Sequence, residues 1–124
     1  MKIQMQEQSV RLRIDEADLA RLLDQGWIEN LTWLSHEVVC RQRMEVVDAE
    51  LELQGDAAAW CLRIPRQQLA DYVARLPCRD GLEWDLPIGP RRSVQLCFEV
   101  DVRDSVRKRG AQRRVKSAPD EGRD

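Results

Sequence analysis

The chain contains an internal repeat with an offset of fifty positions. The segment Leu12-Arg13-Ile14, followed by Leu19-Ala20, recurs as Leu62-Arg63-Ile64, followed by Leu69-Ala70. Each copy is typical of a strand that runs into a helix. Two similar half-units in one domain must share a core and be related by a pseudo-twofold axis. The repeat therefore predicts a duplicated fold, although it indicates no chemistry.

Alternation of apolar and polar residues predicts a pair of strands at the start of the chain. A two-residue turn at Glu7-Gln8 would pair Met5 with Val10 and Ile3 with Leu12. All four apolar side chains would then lie on one face, so the register of this hairpin is self-consistent. One long bent strand is the alternative.

Both predicted helices have recognisable first and last residues. Asp15 is placed to cap the first helix, and Gly26 is placed to end it in a left-handed conformation. In the second copy Pro65 starts the helix and Pro77 follows its end.

Period-two patterns predict six further strands. They cover residues 27–34, 37–44, 47–53, 58–64, 82–86 and 94–102. In the last of them, apolar residues from Val94 to Val102 alternate with polar ones, which fits an antiparallel sheet covered on one side. We therefore expect a single α+β domain over residues 1–102, in which duplicated strand-helix-strands units form a curved antiparallel sheet or an open barrel with two helices.

The charge of the chain is divided between an acidic body and a basic C-terminal segment. Residues 1–102 carry 12 Lys or Arg and 18 Asp or Glu, a net charge of −6, whereas residues 103–124 carry 8 and 4, a net charge of +4. The second segment lacks apolar periodicity and is predicted to be a basic, disordered tail, with a helix that orders on binding as the alternative. Its candidate contact residues are Arg107, Lys108, Arg109, Arg113 and Arg114. Because the body is acidic, we expect at best weak, nonspecific binding of RNA or DNA, through this tail.

No feature of the chain predicts a membrane span, export or a metal knuckle. No apolar run approaches the roughly twenty residues that cross a bilayer, and the first residues lack the apolar segment of a secretory signal, so we expect a cytoplasmic protein. The four cysteines, at positions 40, 61, 78 and 97, form no C-x-x-C pair. This spacing favours free thiols, with a disulfide as the alternative in an oxidising compartment. We expect Cys40 to be buried and Cys97 to be exposed.

The first thirteen residues read M-K-I-x-x-x-x-x-S-x-R-L-R, where x marks positions outside the pattern. This opening resembles a family of small uncharacterised bacterial proteins that is described only as a domain of unknown function. Later segments also look like that family: Ile64-Pro65, Leu86-Pro87-Ile88-Gly89, and Glu99 with Asp101. The resemblance covers residues 1–102, whereas the Arg-rich tail departs from the acidic end that it implies. It implies no activity, cofactor or catalytic residue.

The duplicated order of strands and helices also looks like the triphosphate-tunnel metalloenzymes, at the level of the fold alone. Those enzymes resemble one another through an E-x-E-x-K pattern on the first strand, which supplies metal-binding carboxylates and a phosphate-binding cation. Here the corresponding positions hold Lys2, Gln4 and Gln6, so the expected metal ligands are missing.

Acidic pairs and arginines are the candidates for a metal or anion site. Alternation would place Glu50 and Glu52 on one face of a strand, and Glu99 with Asp101 on one face of another, where they could hold a divalent cation. The candidate anion-binding residues are Arg11, Arg13, Arg41, Arg43 and Arg63. A solvated sheet face with cross-strand ion pairs is the simpler interpretation.

The four tryptophans divide into two pairs. Trp60 and Trp84 are in phase with apolar neighbours and are expected in the core. Trp27 and Trp33 share a predicted strand face with Glu29 and Leu31, and could lie on a partner surface or at the rim of a pocket.

These patterns favour a small non-enzymatic binding or interaction module that has no cofactor. Its expected partner is another protein or a second copy, bound through an exposed sheet edge or the region of Trp27 and Trp33. The alternative is a metal-dependent phosphohydrolase or a phosphate-binding barrel that uses the acids and arginines named above. The single histidine, His36, is expected in a turn, and the sequence contains no glycine-rich phosphate loop or nucleophile elbow.

Overall fold

A computed structural model describes residues 1–102, which form an α+β fold and confirm the predicted class. The first half contains β1 (Lys2–Gln6), β2 (Ser9–Asp15), α1 (Glu16–Gln25), β3 (Trp27–Trp33) and β4 (Val39–Val47). The second half contains β5 (Glu52–Gly55), β6 (Ala59–Pro65), α2 (Arg66–Ala74), β7 (Leu82–Ile88) and β8 (Arg92–Asp101). The order β-β-α-β-β thus occurs twice.

The eight described strands form two four-stranded sheets, and each sheet takes one strand pair from either half. The first sheet has the order β1-β2-β8-β7, and the second sheet has the order β3-β4-β6-β5. The central pairs, β2 with β8 and β4 with β6, are parallel, whereas the outer pairs are antiparallel. The strands are divided in this way because each helix carries the chain from one sheet to the other. The result is two mixed sheets, neither of which closes into a barrel.

The inner faces of the two sheets and both helices enclose one apolar core. α1 contacts strands of both sheets, and so does α2. The repeat is visible in the core, where Leu12 and its equivalent Leu62 are both fully buried, as are Ile14 and Ile64. Trp60 and Trp84 are partly buried and pack against this core, as expected. Because each half contributes residues to every layer, the burial that stabilises the fold is shared between the halves.

The predicted hairpin at the start of the chain is confirmed. β1 and β2 are antiparallel, with Met5 opposite Val10 and Ile3 opposite Leu12. Glu-Gln is an unfavourable turn dipeptide, and Glu7 adopts a left-handed conformation, with φ of 53°, to make the turn.

The predicted ends of α1 are confirmed. The side chain of Asp15 accepts a hydrogen bond of 2.7 Å from the backbone N–H of Asp18, and Gly26 ends the helix with φ of 87°. Pro65 occupies the cap position of α2 and supplies no side-chain hydrogen bond there, and the helix ends at Ala74, before Pro77.

The predicted strand over residues 47–53 is wrong. β4 continues to Val47, because Val46 pairs with Ile64 and extends the apolar inner face of the second sheet. β5 begins only at Glu52, so Glu50 lies in the connection and does not share a strand face with Glu52.

The cysteines are all free, and each is partly buried. The expectation that Cys40 is buried and Cys97 exposed is therefore wrong. Cys40 is the second residue of β4 and lies on the inner face of the second sheet. Cys97 lies on the outer face of the first sheet, on the central strand β8.

The predicted tail lies outside the described residues, and so do its candidate contacts. Neither described helix is long and apolar enough to cross a membrane.

Candidate interaction surface

Exposed apolar side chains gather on β3 and the turn that follows it. Trp33 and Leu34 expose 63% and 65% of their surface, Leu31 and Val38 expose 47% and 49%, and Trp27 exposes 38%. We call these five residues the β3 surface. Trp27, Leu31 and Trp33 lie on one face of the strand, and Leu34 and Val38 lie at its end, on either side of the turn. Large apolar side chains that are gathered on an exposed surface are typical of sites that bind another protein.

The position of Gly26 sets which side chains of β3 point outwards. α1 ends at this glycine and β3 starts at the next residue, so the side chain of Ile28 enters the core, where it is 3% exposed. Side chains alternate along a strand, which leaves Trp27, Leu31 and Trp33 on the outer face of the second sheet. The predicted shared face of these residues is therefore confirmed.

At one end of the β3 surface, Trp27 packs against a charged residue of β4. The guanidinium of Arg43 lies 4.3 Å from the centre of the Trp27 ring, a distance at which a cation and an aromatic face attract each other. Arg43 also donates a hydrogen bond of 2.8 Å to Glu45 and one of 3.4 Å to Glu29. Trp27 is thereby packed against its own sheet, whereas Trp33 is the more exposed of the two rings.

β3 is also an edge strand whose outer backbone groups are open. The N–H of Leu34 donates to the carbonyl oxygen of Val38 at 2.8 Å, and Val46 donates to the carbonyl oxygen of Gly26 at 2.9 Å. Even-numbered residues therefore bond to β4, and odd-numbered residues direct their N–H and C=O groups away from the sheet. Within residues 1–102, the hydrogen bond that reaches this edge joins Gln25 Nε2 to the carbonyl oxygen of Trp27, at 2.8 Å.

The other three edge strands carry features that discourage pairing with another chain. β1 contains Lys2, β7 contains Pro87, and β5 is four residues long. β3 is seven residues long and contains neither Lys nor Pro. Among the described strands, it is the edge that is best suited to accept a further strand.

The first sheet carries two of the candidate arginines on its outer face. Arg11 Nε and Arg13 Nη2 lie 3.6 Å and 3.0 Å from the carboxylate of Glu99. Both arginines are therefore paired with one shared acid of the neighbouring strand.

The second sheet carries the other three arginines on its outer face. Their ion pairs join Arg41 to Glu29 at 3.5 Å, Arg43 to Glu45 at 2.8 Å, and Arg63 to Glu45 and Glu52 at 3.5 and 3.4 Å. The structure does not bring the five candidate arginines together, because they belong to two different sheets.

The four candidate metal ligands are also dispersed. Glu52 lies on β5 of the second sheet, whereas Glu99 and Asp101 lie on β8 of the first. Glu50 is in the connection before β5. No group of three or more His, Cys, Asp or Glu residues that could hold a metal ion is found in the described part of the chain.

Two thiols lie beneath these ion pairs on the outer faces. Burial raises the pKa of Cys61 to about 11, and the negative charge of Glu45 adds to the effect. Burial and then Glu99 also raise the pKa of Cys97. Since the thiolate is the reactive form, neither cysteine is set up as a nucleophile at neutral pH.

Sequence reasoning found the tryptophans of the β3 surface and missed its other part. Leu34 and Val38 flank a turn that contains His36, as expected for that residue. The apolar residues on both sides of this polar turn were the signal in the sequence that could have found this part of the surface. The sequence contained no signal for the open backbone edge. Which strand lies at the edge of the second sheet depends on how the strands of the first half pair with those of the second.

Comparison with known proteins finds no family model, curated protein or solved structure that matches this chain. The resemblances to an uncharacterised bacterial family and to the triphosphate-tunnel metalloenzymes stay predictions. The function must be inferred from the geometry of the site.

Proposed function

We propose that this chain is a non-enzymatic interaction module that binds another protein surface through β3 and the turn after it. The observation that carries the proposal is the exposure of Leu31 and Trp33 on the outer face of β3, with Leu34 exposed in the turn after them, beside an open strand edge. Tryptophan is enriched at the energetic centres of protein interfaces, where it buries a large area at a small cost in side-chain entropy.

The charge distribution supports this proposal over an anion-binding or phosphohydrolase function. Each candidate arginine lies within 4.0 Å of a carboxylate, so a phosphate would have to displace an existing ion pair. The outer face of β3 carries one charged residue, Glu29, and that charge is already paired with Arg41 and Arg43. Little charge must therefore be desolvated when a partner covers this strand.

Site-specific photo-crosslinking tests the proposal. A photoreactive benzoylphenylalanine replaces Trp33 in one variant and Gln54 in a matched control. Gln54 is also exposed on the outer face of the second sheet, but on the opposite edge strand. In cells that express the chain, we expect discrete adducts with another polypeptide at position 33 and none at position 54. Equal yields at the two positions would overturn the proposal.

A further inference from the structure

The open edge of β3 points to one occupant. We propose that a second copy of this chain binds there, with β3 antiparallel to β3, so that two second sheets join into one eight-stranded sheet. This inference rests on the proposed function, since it uses the same surface. The argument for a second copy is that β3 is complementary to itself in both backbone and side chains.

The backbone allows the whole strand to pair. Full antiparallel overlap of β3 with its copy places Trp27 opposite Trp33, and Glu29 opposite Leu31, on both sides of a twofold axis. All four of these residues direct their backbone groups to the edge, so about eight interchain hydrogen bonds can form. The carbonyl oxygen of Trp27 would exchange its bond to Gln25 for one of them.

The outer-face side chains match in this register. Each Trp27 meets a Trp33 of the second copy, and the symmetry generates two such aromatic pairs on one continuous face. Glu29 meets Leu31, so no like charges lie directly opposite each other. The carboxylate of Glu29 stays paired with Arg41 at 3.5 Å and with Arg43 at 3.4 Å.

The inner-face side chains match as well. Asn30 lies on the twofold axis, opposite itself, and an amide carries both donors and acceptors. One of its donors is used by Gln42 Oε1 at 2.9 Å, which leaves another donor and the carbonyl oxygen for the second copy. Ile28 lies opposite Thr32, a β-branched pair that suits a sheet.

Sedimentation velocity of the full chain tests the association. One chain has a mass of 14.4 kDa. Over roughly 1 to 500 µM we expect the fraction of a species with twice that mass to increase with concentration. Leu31→Pro removes an edge N–H that bonds to nothing in the described monomer, and should weaken association about tenfold or more. Leu31→Thr is the matched control, since it keeps the N–H and the strand preference. It should associate within a few-fold of the parent.

A symmetric disulfide tests the register, and it does not depend on the folding of the proline variant. Asn30→Cys places two thiols opposite each other at a pair with a Cα separation of about 4.5 Å, which a disulfide can span. Leu31→Cys is the control, because that position faces Arg41 in its own sheet and Glu29 of the second copy, so no thiol lies opposite it. Under mild oxidation we expect a linked dimer for the first variant, well above the level of the second and of the parent.

The possible results separate this inference from the proposed function. A parent chain that stays monomeric, a dimer that Leu31→Pro leaves intact, or a dimer that Asn30→Cys does not link preferentially would each overturn the β3 pairing. In any of these cases, adducts at position 33 with a different polypeptide would still support the interaction module.

Discussion

The hydroxyl oxygen of Tyr72 accepts a hydrogen bond of 2.9 Å from the backbone N–H of Val100. β7 begins at Leu82, opposite Phe98, so no residue of β7 lies opposite Val100. In the first half the equivalent donor, the N–H of Val46, bonds to the carbonyl oxygen of Gly26 at 2.9 Å. The equivalent N–H groups of the two halves thus have different acceptors, a backbone carbonyl in the first half and a tyrosine hydroxyl in the second. The difference arises because α1 runs directly into β3, whereas residues 75–81 separate α2 from β7.

Tyr72→Phe is expected to destabilise the fold by about 1 to 3 kcal/mol, since it leaves the N–H of Val100 without its acceptor in the core. The ring itself remains, and with it the edge-to-face contact with Phe98 at 5.9 Å. Urea unfolding followed by tryptophan fluorescence measures the change. A loss below about 0.5 kcal/mol would show that water replaces the hydroxyl group.

Cys61 is expected to react slowly in the folded chain. Burial raises its pKa from the usual 9.0 to about 11, so its thiolate fraction at pH 8 falls about a hundredfold relative to the unfolded chain. Iodoacetamide labelling with and without urea, resolved by peptide mass spectrometry, measures the ratio. Equal rates at Cys61 in the two states would contradict the assigned environment.

The same shift makes stability fall in alkali. The unfolded chain releases the Cys61 proton near pH 9, whereas the folded chain keeps it up to about pH 11. Between these values the unfolded state binds fewer protons, so stability decreases as pH rises. Cys61→Ala should reduce this decrease between pH 9 and 11. Cys78→Ala is the matched control, because it also removes a partly buried thiol, from the connection between α2 and β7. An identical pH profile for the two variants would refute the assignment to Cys61.

Gly55→Ala should cost more stability than Gly26→Ala, although both glycines have positive φ, of 108° and 87°. A side chain at position 26 meets no atom within 4 Å, so only the left-handed backbone contributes, at about 1 kcal/mol. At position 55 a Cβ would collide with the carbonyl oxygen of Ala59 and lie 2.8 Å from the Cα of Trp60. We expect a loss of about 3 kcal/mol or more in urea unfolding. Equal losses would contradict the tight β5–β6 turn.

Local patterns in the sequence were sufficient to predict the β1–β2 hairpin, the caps at Asp15 and Gly26, and the shared face of Trp27 and Trp33. They could not predict the parallel pairing of β2 with β8, because those strands are more than seventy residues apart and the alternation within each is the same for either direction. The strand predicted over residues 47–53 was wrong for a related reason. Its residues are divided between the end of β4, a connection and the start of β5, and only the pairing of β4 with β6, which ends at Val47, shows where the first strand ends.

The candidate site was predictable in its side chains and not in its backbone. Alternation alone placed Trp27, Leu31 and Trp33 together. The open edge depends on the order of strands in the second sheet, which is fixed by contacts between the two halves. The acidic pairs and arginines looked equally suggestive in the sequence, and the structure distributes them between two sheets as ion pairs.

Amide hydrogen exchange in β3 tests most directly whether its outer edge pairs with another copy of the chain. At low concentration the N–H groups of Leu31 and Trp33 should exchange rapidly, while those of Asn30 and Thr32 are protected by β4. Raising the concentration should slow the exchange of Leu31 and Trp33 about tenfold or more and leave Asn30 and Thr32 unchanged. Rapid exchange at Leu31 and Trp33 at every concentration would contradict the account.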